Sequence, residues 1–204
     1  MALFTPEQQD RIAAAVKAAE ANTSGEIFTV IARASDDYRF IPVLWAALAA
    51  LLVPMPLIFA TSLSVQVIYL AQLAVFCTLA IVLSLPAVRP YAVPGPVQQR
   101  RAHRNAIEQF LAHGLHTTRD RTGVLIFVSL AERYAEVVAD EAINEKVDPA
   151  VWDEAVAALI DEIRAGRPTE GFIAAIGLCG AALAAHFPPR PDDDNELSDR
   201  IVEI

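Results

Sequence analysis

The order of apolar and polar positions divides this chain into three parts. From Phe40 to Val88 there is no Asp, Glu, Lys, Arg or His, whereas charges are dense on both sides. That gap is too long for one buried core element and suits two bilayer passes, each needing roughly 20 apolar residues. The tetrad Thr61-Ser62-Leu63-Ser64 splits it, predicting spans over 41–60 and 65–85. Pro54 and Pro56 predict a kink in the first span, for which a re-entrant segment is the alternative reading.

Outside the gap the periodicity changes to that of a water-soluble domain. Thr5-Pro6-Glu7-Gln8 is a capping box with proline at the first helical position, and Ile12, Ala15, Val16 and Ala19 then share a face. Residues 26–32 form a dense β-favouring run that predicts a buried strand. After the gap, Pro90, Pro94 and Pro96 make a stiff exit into a helix over about 97–113, with Ala106, Ile107, Phe110 and Leu111 facing inward. Residues 124–129 predict a second strand and 134–139 its antiparallel partner across a short turn. Asp148-Pro149 starts a helix with Trp152, Val156, Leu159 and Ile163 on one face. A last helix over about 168–186 is nearly all apolar but short and rich in Ala and Gly. It reads as a tightly packed domain helix rather than a third span.

The resulting organisation is an α/β (α+β) domain, a small mixed sheet flanked by helices and interrupted by a two-helix transmembrane hairpin. Residues 1–39 are its first part, 40–88 the hairpin, 89–190 the second part and 191–204 an acidic tail. The first part holds only a helix and a strand and is not expected to hold a core alone, so both parts are read as one domain.

Charge refines this picture. Much of the net charge of −9 lies in the tail, in Asp192, Asp193, Asp194, Glu196, Asp199 and Glu203. No basic stripe follows a phosphate backbone, so nucleic acid is not an expected partner. Arg33 and Arg39 precede the hairpin and Arg89, Arg100, Arg101 and Arg104 follow it, while its loop has no cation. The positive-inside rule then places both termini in the cytoplasm, with the chain as a multi-pass protein of the plasma membrane. Arg100, Arg101 and Arg104 also lie where anionic lipid headgroups would attract them. Cys77 and Cys179 fall on a span and a domain helix, which argues against a disulfide.

Candidate chemistry is sparse. Asp36 and Asp37 follow the first strand and Asp140 and Glu141 the third, so converging strand ends would give an oxygen-rich site for Ca²⁺ or Mg²⁺. Such a metal would make phosphate-ester hydrolysis possible. The competing reading makes these acids turn and cap residues, as Asp148 is. His113 and His116 have metal-ligand spacing but lack a third ligand, and Gly114 marks a helix end. The spans hold Gln66, Gln72 and Thr78 but no Asp, Glu, Lys, Arg or His, which argues against a channel or transporter.

The order of elements, with Thr23-Ser24-Gly25-Glu26-Ile27, Thr122-Gly123-Val124-Leu125, Glu132-Arg133, Val138-Ala139-Asp140, Trp152, Phe187-Pro188 and Asn195-Glu196-Leu197, resembles the TPM domain. The likeness is to bacterial membrane proteins in which a transmembrane hairpin interrupts that domain. It implies a small sheet with helices on both faces, divalent-cation binding in some relatives, phosphatase activity in others, and accessory roles at membrane complexes. The expected function is an accessory or scaffold protein, cation-modulated, with membrane lipid and a membrane protein as partners. A metal-dependent phosphatase and an anionic-lipid binding module are the alternatives.

Overall fold

The computed structural model describes residues 3–85, 88–190 and 195–204, so the predicted tail residues Asp192, Asp193 and Asp194 lie outside it. The chain divides into two units, residues 1–35 with 101–204, and residues 36–100 inserted between them in sequence.

The first unit is built on a four-stranded sheet of order β3-β2-β1-β4. β1 (Glu26–Ala32) and β2 (Gly123–Ser129) pair in parallel, and every residue of both is buried. Parallel neighbours cannot be joined by a tight turn. Their connection carries the whole insertion and then α6 (Gly95–Ala112). β3 (Tyr134–Ala139) returns antiparallel along β2, as its short turn predicts. A fourth strand, β4 (Val202–Glu203), adds in parallel to β1 from within the predicted tail.

Helices cover both faces. On one, Ile27, Ile31, Val124, Ile126 and Val128 pack with α1 (Pro6–Glu20), α8 (Pro149–Arg164) and α9 (Pro168–His186). On the other, Phe28, Val30, Leu125 and Phe127 meet Ala106 and Phe110 of α6. This alternation is the period-2 pattern of a sheet buried on both sides. The predicted capping box forms, with Gln8 N donating to Thr5 Oγ1 and Thr5 N to Gln8 Oε1. Asp148 caps α8 through Ala150 N.

α9 buries Phe172, Ala175, Ile176, Cys179, Gly180 and Leu183, spaced three and four apart, in the domain core. Its glycines permit close packing. A Cβ on Gly180 would stand 2.6 Å from that of Ala19 on α1, and one on Gly171 2.9 Å from the Leu159 carbonyl of α8.

In the second unit, α2 (Phe40–Leu52) and α3 (Pro54–Ala60) form one arm of a helical hairpin and α4 (Val65–Ser84) the other. The arm breaks at Val53, where Pro54 begins a new helix, as a missing N–H and ring clash require. At its base Arg89, the first residue of α5 (Arg89–Ala92), donates to the carbonyls of Asp37 and Ser84 at 3.1 and 2.9 Å. Trp45 Nε1 donates to Ala92 O at 3.0 Å. Among the described residues three helices are long and apolar enough to cross a membrane, over Phe40–Ala60, Val65–Ser84 and Pro168–His186. Only the last has a large buried share, 44% against 11% and 0% for the hairpin arms.

Candidate functional site

The sheet's strand directions decide where its polar groups gather. At the N-terminal ends of β1 and β2, Glu26 N donates to Thr122 O and Thr122 Oγ1 to Ser24 O. Thr23 Oγ1 and Ser24 N both reach Phe187 O, at 2.6 and 3.0 Å. Asp140 N donates to Gly123 O from the far side of β2. Gly123 has no room for a Cβ, which would lie 2.6 Å from the Leu115 carbonyl beneath it. The C-terminal arm closes the site, with Glu196 N on Glu26 Oε1 at 3.2 Å and Arg119 N on the Glu196 carboxylate.

Beside this knot lies a depression of about 350 Å³ lined by Lys17, Glu20, Thr23, Glu26, Arg190 and Asn195. Glu20 accepts from Ile27 N at 2.9 Å. Burial pushes its carboxyl up to about 8, and the neighbouring Glu26 and Asp199 charges act in the same direction against the Ile27 hydrogen bond. Arg190 is ion-paired with Asp120. Glu20 is therefore an acid that exchanges its proton near pH 8, in a pocket of mixed charge.

A second polar cluster occupies the opposite end, where β1 and β2 finish. Buried Ser129 donates to Glu132, Ser35 Oγ donates to Ser129 Oγ at 2.8 Å, and Ser35 N bridges both Glu132 oxygens at 3.1 Å. Leu130 N and Ala131 N add bonds to the Ala32 and Arg33 carbonyls. These contacts fix the point at which the chain leaves the sheet toward the insertion.

The predicted metal residues are engaged locally. Asp140 Oδ1 caps α7 (Glu141–Asn144) through Glu141 N at 2.7 Å, and its Oδ2 is buried with no hydrogen-bond partner among the described residues. Glu141 pairs with Arg121 at 3.1 Å. In the second unit, Asp36 Oδ1 accepts from Tyr38 N and Asp37 pairs with Arg39 at 2.8 Å. Asp140 and Glu141 stand at the other end of the sheet from Ser35, the residue before Asp36, because β3 runs antiparallel to β1 and β2. Among the described residues no group of three or more His, Cys, Asp or Glu side chains could hold a metal ion.

The remaining candidates have ordinary partners. His113 stacks on Phe28 with ring centroids 4.5 Å apart, and Gly114, at φ +74°, ends α6 before a 3₁₀ turn at Leu115–Thr117. His103 meets Glu136 at 2.9 Å. Arg100, Arg101 and Arg104 are exposed on α6, with Arg104 paired to Glu108.

These features define a class, a mixed α/β domain divided in sequence by a helical hairpin of membrane-crossing length. Within that class, the family model of the TPM domain matches residues 91–182 of the chain. The match runs from the end of α5 through all of α6 to most of α9, and β1 with its Glu26 precedes it. Among solved structures, the chain is similar to the NMR structure of BA42 protein from the psychrophilic bacterium Bizionia argentinensis. The two share 21% identity and a TM-score of 0.64, over 100% of this chain and 97% of BA42. That likeness is one of fold. Comparison with curated proteins found no match.

Proposed function

We propose that the chain is a membrane-anchored accessory protein, a TPM domain tethered to a bacterial plasma membrane by a two-pass hairpin. The observation that carries this reading is the surface of the hairpin. Phe40–Ala60 and Val65–Ser84 contain no charge, and almost nothing of either is buried within the chain. Apolar helices of 21 and 20 residues reach about 30 Å, the thickness of the hydrocarbon core. In water such a surface would far exceed the apolar patches of soluble proteins. The flanking arginines support a cytoplasmic position for both soluble segments, and the stripe that α9 buries supports two passes rather than three.

An accessory role, rather than phosphoryl chemistry, is supported by how the polar groups are used. Asp140, Glu141 and Glu132 cap, pair or tie chain segments, and among the described residues no group of three or more acids is placed to hold a metal ion. The test uses the purified full-length protein in detergent and a phosphomonoester. The accessory reading expects no hydrolysis above buffer with Mg²⁺ or Ca²⁺ at millimolar concentration. Saturable, metal-dependent turnover lost in Asp140→Asn would replace it with the enzyme.

A further inference from the structure

Gln72 is the eighth residue of α4, about 10 Å along a helix about 30 Å long, which places it inside the hydrocarbon if the hairpin spans. Across the hairpin it meets only apolar groups. α2 and α3 offer no amide, hydroxyl or acid, and the cleft beside Gln72 is lined by Ala47, Ala50 and Leu51 from α2. Among the described residues the Gln72 amide makes no hydrogen bond, and neither does the Tyr69 hydroxyl one turn earlier. Tyr69, Gln72, Leu73 and Phe76 form one stripe at helical spacing beside a cleft of about 290 Å³. Lipid tails cannot satisfy an amide, so in a bilayer this group seeks another chain.

We infer that the hairpin pairs with a second copy of itself through this stripe, Gln72 bonding Gln72; the inference rests on the membrane-anchored reading above. A carboxamide carries both donors and an acceptor, so one residue type at a two-fold crossing satisfies itself without any other partner. Ala47 and Ala50 keep the neighbouring surface shallow, which lets helices approach closely, and the cleft receives the apolar side chains beside Gln72. A helix of a different protein, or lipid alone, would be the other occupants, and the experiment below separates them.

Purified full-length protein, labelled at its N-terminal amine with donor or acceptor dye, is reconstituted into phosphatidylcholine vesicles over a range of protein-to-lipid ratios. Energy transfer should rise with protein density as a monomer–dimer equilibrium. Gln72→Leu should weaken pairing about three- to tenfold. Gln66→Leu, the amide near the loop, should leave pairing unchanged. Leu73→Cys in a Cys77→Ala background should cross-link between copies on mild oxidation. Protein that floats with the vesicles yet stays monomeric at every density overturns the pairing and leaves the anchor standing. So does a dimer indifferent to Gln72→Leu. Protein that fails to float overturns both readings.

Discussion

Replacing Gly180 with alanine sets two effects of known sign against each other. In a helix interior the change from Gly to Ala is worth about 1 kcal/mol in favour of folding. Here the added methyl would lie 2.6 Å from the Ala19 Cβ on α1 and 3.4 Å from its Cα. Carbon atoms prefer about 3.5–4.0 Å, so the helices must separate by about 1 Å, and neither group can rotate away because both are Cβ atoms. Overpacking of this kind costs about 1–3 kcal/mol. The net expectation is a domain destabilised by about 0–2 kcal/mol, a shift of a few degrees in melting temperature. The assay is Trp152 fluorescence on heating the full-length protein in detergent, in a Trp45→Phe background. The decisive quantity is coupling. Ala19→Gly removes the opposing methyl, so adding it to Gly180→Ala should cost at least about 1 kcal/mol less than it costs alone. If Gly180→Ala instead stabilises the protein by about 1 kcal/mol with no coupling to Ala19, α9 does not lie against α1. The case for α9 as a domain helix would then fail.

Other predictions follow from the same contacts. Glu20 binds its proton more tightly folded, near 8, than unfolded, near 4.5, so its contribution favours folding below 4.5 and is lost as pH rises to 8. Glu20→Gln should therefore stabilise the domain more at pH 9 than at pH 5, and equal gains in melts at both would contradict the assignment. Glu132→Ala leaves the Ser129 hydroxyl and the Ser35 N–H unanswered, at about 1–3 kcal/mol for a buried polar group. Hydrogen exchange should speed up at Ser35 and along the end of β1, and unchanged protection there would refute the tie. Glu203 is pushed up by desolvation, yet the Leu3 and Phe4 N–H groups, Gln9 and Arg33 outweigh this and hold it below the usual carboxylate range. Its stabilising effect is thus present above about 4.5 and lost in acid. Glu203→Gln should lower the melting temperature at pH 7, and by less at pH 3.

Which features the sequence made legible follows from how local each signal is. The capping box of α1, the proline break at Pro54 and the runs that became β1, β2 and β3 are written in neighbouring residues. β4 is two residues long, far too short for a period-2 pattern. It forms because Ile204 N donates to Ile31 O, Arg33 N donates to Ile204 O, and the Glu203 carboxylate accepts from Leu3 N. The polar sites were harder to read. Placing Asp140 relative to the end of β1 depends on β1 and β2 pairing in parallel, a long-range property, and that pairing puts Asp140, beside Gly123, at the opposite end. The knot at that end joins residues far apart in sequence, Thr23, Glu26, Thr122, Phe187 and Glu196. Periodicity is blind to such contacts, although each of these residues lies in a segment that carried the TPM resemblance. Glu20 carried no signal, because a glutamate at the end of an amphipathic helix reads as solvated.

On the proposed reading, a domain assembled from both ends of the chain lies on one side of a membrane, with only the hairpin crossing it. Single cysteines at Ser62, Asp10 and Arg200, each in a Cys77→Ala, Cys179→Ala chain, test it with a membrane-impermeant maleimide on intact bacterial cells. Cysteine at position 62 should label from outside, while those at 10 and 200 should label only after permeabilisation. Labelling of position 200 from outside, or of all three from the same side, would contradict the account.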